Sequence, residues 1–88
     1  MQTRKFTIVN RLGLHARAAA LLVKTAGRFS AEITIKKEDM EVNGKSIMGI
    51  LLLAAPKGSN IHLLIEGADE ELAMQQLAEL IEGGFGEE

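Results

Sequence analysis

Four short segments of the chain alternate apolar and polar residues at a period of two, the spacing typical of strands with one buried face. The segments are 5–9, 32–37, 40–42 and 60–66. Phe6 and Ile8 share a face in the first segment, and Ile61, Leu63 and Ile65 share a face in the last. The pattern therefore predicts four strands that each contribute one face to a common core.

Three other segments favour helix. Residues 16–26 are rich in Ala and Leu, and Gly27 is expected to end that helix. Ser46 and Asp69 are placed as N-caps of two later helices, a short apolar one over 47–53 and a last one that ends at Gly83. The predicted inward faces are Ala18, Leu21, Leu22 and Thr25 in the first helix, and Ala73, Leu77, Leu80 and Ile81 in the last.

The order strand, helix, strand, strand, helix, strand, helix predicts an α+β domain that spans residues 1–88. In the split βαβ arrangement, the strand placed between the first and second is the last one in sequence, so the expected strand order is 1-4-2-3. The sheet should be mostly antiparallel, with three helices on one face and water on the other. Residues 83–88 are predicted to form a flexible tail.

Composition limits the function classes. The chain has 88 residues, 47% of them apolar, and no cysteine, which excludes disulfides and thiolate metal sites. No other metal-binding spacing stands out, and we expect neither a metal nor a cofactor. The polar start, Met1 to Lys5, lacks the apolar run of a signal peptide or membrane span, so the expectation is a cytosolic protein without membrane insertion.

The charge is unevenly distributed. Residues 1–65 contain ten basic and four acidic side chains, whereas residues 66–88 contain eight acidic and no basic ones. The acidic part is interpreted as a solvated helix face and tail. The basic side chains that could surround an anion or face an acidic partner are Arg11, Arg17, Lys24, Arg28 and Lys45. A pI near 5.7 and only three aromatic residues disfavour nucleic-acid binding.

His15 is the candidate reactive residue. It lies where a strand ends and a helix begins, and the first N–H groups of a helix, here those of Ala16 and Arg17, attract anions. Gly13 permits a close approach, and Arg17 can make paired hydrogen bonds to phosphate oxygens. A neutral imidazole is a good nucleophile near pH 7. A purely structural histidine and a solvated arginine remain the alternatives at this point.

The apolar helix after Ser46 also has two interpretations. Ile47, Met48, Leu51 and Leu52 could all belong to the core, or Ile47, Met48 and Leu51 could form an exposed docking surface near His15. Arg17, Lys24 and Lys45 would then border that surface. His62 stands alone on the wet strand face and is interpreted as a surface residue. The glycine-rich stretch 83–86 has no following helix, which argues against a nucleotide loop.

Residues 10–17, 43–49 and 66–71 read NRLGLHAR, NGKSIMG and EGADEE. Together they resemble the HPr family, the histidine-containing phosphocarriers of the bacterial phosphoenolpyruvate:sugar phosphotransferase system. The resemblance covers nearly the whole chain and implies an open-faced β-sandwich. It also implies that His15 accepts phosphate at Nδ1 with Arg17 as its partner, and that Ser46 is a site for an ATP-dependent HPr kinase/phosphorylase.

One position departs from the family pattern. The family usually has proline after the arginine, whereas this chain has Ala18. Proline in a first turn fixes the backbone in advance, and alanine is itself a good helix former. We therefore expect slightly looser ordering at the site, with an effect on rate more than on role.

The sequence thus predicts a monomeric phosphocarrier, itself not an enzyme. It would receive its phosphoryl group from the phosphoenolpyruvate-dependent donor enzyme and pass it to sugar-specific acceptor domains. A regulatory phosphorelay or signalling protein with little role in sugar uptake is the alternative. A small ligand-binding or RNA-binding module is a third hypothesis, which the low aromatic content disfavours.

Overall fold

The fold consists of a four-stranded sheet with three helices, seen in a computed structural model that describes residues 1–87. The strands are β1 (Gln2–Thr7), β2 (Glu32–Lys37), β3 (Met40–Asn43) and β4 (Asn60–Glu66), and the helices are α1 (Ala16–Ala26), α2 (Ile47–Leu53) and α3 (Glu70–Glu82). A 3-10 turn at Gly84–Gly86 follows α3. Only β1 departs clearly from the predicted bounds, because it begins three residues earlier and its polar start still pairs with β4.

The strand order is β1-β4-β2-β3 and every pairing is antiparallel, which confirms the predicted topology. β4 lies between β1 and β2, and each of its inward residues is opposite an apolar residue in one of these two strands. Phe6 is opposite Ile61 on one side, and Ile35 is opposite Leu63 on the other. These cross-strand pairs fix the register, since a slip of one residue would turn every apolar side chain toward water.

The helices cover one face of the sheet. The predicted inward faces of α1 and α3 are only partly right, because Leu21, Thr25 and Leu80 are partly exposed. The residues that are buried in α1 and α3 are Ala18, Ala19, Leu22, Ala26, Ala73, Met74, Leu77, Ala78 and Ile81. α1 contacts both α2 and α3, and α3 contacts β1 and β4 as well as α1, so each buried face is wider than one stripe. None of the helices in residues 1–87 has the length and apolar content needed to span a bilayer.

Asp69 occupies the predicted N-cap position of α3, but its side chain does not cap the helix. Its carboxylate accepts hydrogen bonds of 2.9 Å from the amides of Ser30 and Ala31. These backbone donors, the Ser30 amide foremost, lower the pKa of Asp69. The side chain therefore holds the loop before β2 against the start of α3, a contact across 38 residues of sequence that local capping rules do not predict.

The predicted flexible tail is wrong for residues 83–87. Phe85 is only 3% exposed and belongs to the core, and Gly84 beside it is buried. Glu87 is hydrogen-bonded to Asn10 and His15. Burial of the Phe85 ring opposes the entropic cost of ordering this short segment. Glu88 lies outside the described residues.

Phe85→Ala is expected to lower the free energy of unfolding by about 3 kcal/mol, the usual cost of truncating a buried phenylalanine. Urea denaturation followed by circular dichroism measures it. Leu72→Ala on α3, at a position that is 50% exposed, is the control and should change stability by less than about 0.5 kcal/mol. Equal, small effects of both substitutions would contradict the packed position of residues 83–87.

Candidate functional site

The loop before α1 is shaped by Gly13. Its φ of +67° is in the left-handed region, and a Cβ there would lie 2.4 Å from the Ala55 carbonyl oxygen and 2.9 Å from Pro56 Cα. The next residue, Leu14, is buried and its amide donates to that same Ala55 oxygen at 2.9 Å. The loop is therefore held tightly against the segment that follows α2, and only glycine fits at this point.

His15 is the N-cap residue of α1, with extended backbone angles (φ −78°, ψ −180°). Its carbonyl accepts the amide of Ala19 at 2.8 Å, but its side chain makes no capping hydrogen bond. Within residues 1–87, the amides of Ala16, Arg17 and Ala18 have no protein acceptor. The site thus places an imidazole, 27% exposed, beside three unpaired helix N–H groups and the positive end of the helix dipole.

Glu87 holds the other side of the imidazole. His15 Nε2 and Glu87 Oε2 are 2.5 Å apart, and Glu87 Oε1 accepts a 3.0 Å hydrogen bond from the Asn10 amide. The Asn10 hydrogen bond, followed by that to His15, lowers the pKa of Glu87. Sequence reasoning missed Glu87 because it assigned residues 83–88 to a tail. The one available signal was Phe85, an aromatic residue in an otherwise polar end.

Arg17 is exposed in the first turn of α1, on the same depression as His15. The depression has a volume of about 440 Å³ and is lined by Arg11, Leu12, His15, Arg17 and Glu87. Two guanidinium groups at its edge can neutralise a doubly negative phosphoryl group. Across residues 1–87, no three His, Asp or Glu side chains come together as a possible metal site.

Ser46 is the N-cap of α2, as predicted, and its Oγ accepts the amide of Gly49 at 3.1 Å. Two contacts show that α2 runs antiparallel to α1. Leu14 bonds Ala55 after the end of α2, and Lys45 before its start donates through Nζ to the Phe29 carbonyl at 2.6 Å. Ser46 therefore lies about 10 Å from the His15 end of α2, the length of seven helical residues.

The expected docking residues differ in exposure. Ile47 is 40% and Met48 69% exposed, whereas Leu51 is partly buried against the core. Lys24 is exposed, but Lys45 is partly buried and bound to Phe29. Two further exposed apolar residues, Leu12 (59%) and Leu52 (67%), were not assigned to docking from the sequence.

His62 and Ala18 are the other two positions singled out from the sequence. His62 is exposed on the uncovered sheet face, as predicted. Ala18 is fully buried in the first turn of α1, and the helix begins at Ala16 without a proline. The expected effect of alanine on the transfer rate stays a prediction.

Comparison with known proteins agrees with this geometry. Residues 2–83 match the family model described as "PTS HPr component phosphorylation site". The chain is 51% identical over 87 residues to phosphocarrier protein HPr of Neisseria meningitidis serogroup A, with 99% of this chain and 98% of the relative covered.

Two solved structures, both from Thermoanaerobacter tengcongensis, share the fold. The crystal structure of HPr-C-His is similar with a TM-score of 0.97 at 49% identity, covering 100% of this chain and 99% of the other. The crystal structure of an HPr dimer has a TM-score of 0.80 at 48% identity, covering 99% and 100%. With its matching sequence, its sheet order and its histidine-bearing helix start, the chain belongs to the PTS-HPr family of phosphocarrier proteins.

Proposed function

We propose that the phosphoryl group of this phosphocarrier is carried on Nδ1 of His15. It comes from the phosphohistidine of a phosphoenolpyruvate-dependent donor enzyme and goes to sugar-specific acceptor domains. The chain is a carrier and not an enzyme, since each round begins only when another protein phosphorylates it again. The family matches favour this role over that of a purely regulatory relay.

The observation that carries the proposal is the position of His15 at the N-cap of α1. An anion on the ring would lie near the unpaired amides of the first turn. Among residues 1–87, Nδ1 has no hydrogen-bond partner, whereas Nε2 is bound to Glu87. The nitrogen that remains for reaction is therefore Nδ1.

The transfer itself is a single displacement at phosphorus. The lone pair of His15 Nδ1 forms a new N–P bond while the N–P bond to the donor histidine breaks, and the electron pair returns to the donor ring. Arg17 and the amides of Ala16 and Arg17 stabilise the charge on the phosphoryl oxygens. The same steps in reverse order pass the group to an acceptor.

Docking is proposed to use the exposed apolar residues around this loop and on α2. Ile47, Met48 and Leu52 lie on α2, and Leu12 lines the depression at His15. Arg17 and Lys24 add positive charge that can attract an acidic partner. Leu51 and Lys45 are partly buried, so we expect smaller contributions from them.

We propose that one copy of the chain is sufficient. All the groups named at the site come from a single chain, and a monomer leaves the apolar residues of α2 open to successive partners. Light scattering at working concentration should then give the mass of one chain, about 9.5 kDa. A stable dimer that retains full carrier activity would contradict this part of the proposal.

The test of the main proposal is the chemistry of the adduct. Incubation of the chain with phosphoenolpyruvate and the donor enzyme should add one phosphoryl group that is lost in acid and stable in alkali, as a phosphohistidine is. An acid-stable adduct as the sole product would instead indicate serine phosphorylation and would contradict the proposal.

A second proposed role is regulation at Ser46, by an ATP-dependent HPr kinase/phosphorylase. The supporting observation is that Ser46 is partly exposed and directly precedes the exposed Ile47 and Met48. A phosphate there would add negative charge at the docking surface and repel an acidic partner. The helix itself should tolerate the charge, because its first amides favour anions.

Two variants of Ser46 separate its capping and regulatory roles. Ser46→Ala should lower the free energy of unfolding by about 1 kcal/mol, because the Gly49 amide loses its acceptor. Ser46→Asp should keep an acceptor and fold normally, yet slow phosphoryl transfer several-fold. Denaturation curves and the initial rate of phosphorylation by the donor enzyme measure these effects.

Thr3→Asp is the matched control, since it adds the same charge on the uncovered face of the sheet. It should leave the transfer rate unchanged. If Thr3→Asp slowed transfer as much as Ser46→Asp, the effect would be one of net charge and not of a docking surface at α2.

A further inference from the structure

The contact between His15 and Glu87 joins residues that are 72 positions apart. It is built by the segment after α3, in which Phe85 is 3% exposed and fixes the chain in the core. Gly84 and Gly86 both have positive φ, which lets the chain turn sharply on either side of that ring. Glu87 is thereby brought to the imidazole by a packed segment.

Asn10 fixes the carboxylate from the other side. It is only 2% exposed, and its side-chain amide donates both to the Gly13 carbonyl at 2.8 Å and to Glu87 Oε1 at 3.0 Å. One buried residue therefore connects the loop that carries His15 with the segment that carries Glu87. The Glu87 side chain is 14% exposed, so water competes little for its oxygens.

We propose that Glu87 is a positioning residue for phosphoryl transfer, which holds the proton of His15 on Nε2 and so directs Nδ1 to phosphorus. This inference rests on the proposal that His15 carries the group. An ionised carboxylate only accepts hydrogen bonds, so the nitrogen that it contacts must carry the proton. The lone pair of the neutral ring then lies on Nδ1.

Glu87 also acts after the N–P bond has formed. When neutral His15 attacks through Nδ1, the proton stays on Nε2 and the ring becomes a positively charged phosphoryl imidazolium. Glu87 stabilises that charge, as a carboxylate does for a histidine in a catalytic triad. The protonated ring is also the better leaving group when the phosphoryl group moves to an acceptor. Arg11 and Arg17, on the same depression, offset the repulsion between Glu87 and the phosphoryl oxygens.

Glu87→Gln and Glu87→Ala test the proposal, and Phe85 should keep both variants folded. We expect the initial rate of phosphorylation by the donor enzyme to fall about tenfold in each, the effect of losing one charge-assisted hydrogen bond. Long-range ¹H–¹⁵N correlation spectra of the unphosphorylated protein should show His15 protonated on Nε2 in the parent chain, and a larger share protonated on Nδ1 in the variants.

Glu82→Gln is the control. It removes the same charge from an exposed carboxylate that pairs with Arg4 at 3.1 Å, and it should change neither the rate nor the spectra. Unchanged rates in both Glu87 variants, or slower rates with an unchanged tautomer, would overturn the role of Glu87. Failure of the His15 assignment would be seen separately, as a normal acid-labile adduct in His15→Ala.

Discussion

His15→Ala is expected to abolish phosphoryl acceptance, with the rate of adduct formation falling more than about a thousandfold. The substitution removes the nucleophile while the backbone of the N-cap stays in place, and the His15 side chain makes no capping hydrogen bond that would be lost. Radioactive phosphate from phosphoenolpyruvate, trapped in alkali after incubation with the donor enzyme, measures the rate.

His62→Ala is the matched control, because His62 is the other histidine in the chain and lies exposed on the opposite sheet face. It should be phosphorylated at the same rate as the parent chain. An acid-labile adduct that persists in His15→Ala and disappears in His62→Ala would show that His62 accepts the phosphoryl group. This result would contradict the assignment of His15.

Gly13→Ala is expected to have the largest effect on the loop without touching a reacting atom. The new Cβ would lie 2.4 Å from the Ala55 oxygen, so the backbone must shift and the Leu14 amide must lose its acceptor. A left-handed alanine costs about 1–2 kcal/mol, and the lost hydrogen bond adds about 1 kcal/mol. We expect a fall of about 2–3 kcal/mol in the free energy of unfolding, together with slower phosphorylation.

Gly58→Ala separates the cost of a left-handed backbone from the cost of a steric clash of the new Cβ. Gly58 also has positive φ, +90°, but a Cβ there would meet no atom within 4 Å. The free energy of unfolding of Gly58→Ala should fall only by the cost of a left-handed alanine. The variant should transfer phosphate normally. Urea denaturation of both variants measures the difference. If Gly58→Ala were as destabilising as Gly13→Ala, the close approach to Ala55 would have no energetic role.

The features of this fold that sequence alone predicts are those set by neighbouring residues. The start of α1 after His15 and the cap at Ser46 follow from residues within one helical turn, and the alternation over 60–66 follows from strand geometry. The topology follows because few arrangements accommodate this order of elements. His15 and Arg17 are two residues apart, so the same local rules place both at the start of one helix.

The features that sequence rules miss or assign wrongly depend on contacts between distant residues. Local rules make Asp69 a helix cap, yet it binds amides at Ser30 and Ala31. They make Glu87 part of a tail, yet Asn10 binds it next to His15. Neither partner is marked by a pattern near it in sequence, and each contact exists only because the sheet and α3 bring the two segments together. The contact between the Glu87 carboxylate and His15 is therefore found only in the folded structure.

The nitrogen that carries the phosphorus decides whether His15 reacts through Nδ1. The chain, labelled with ¹⁵N in histidine, would be phosphorylated with phosphoenolpyruvate and the donor enzyme and kept in alkali for ³¹P and ¹⁵N spectra. A ³¹P–¹⁵N coupling to Nδ1 of His15 is expected, with His62 unchanged. Coupling to Nε2 of His15, or a phosphorus signal without coupling to any imidazole nitrogen, would contradict reaction through Nδ1.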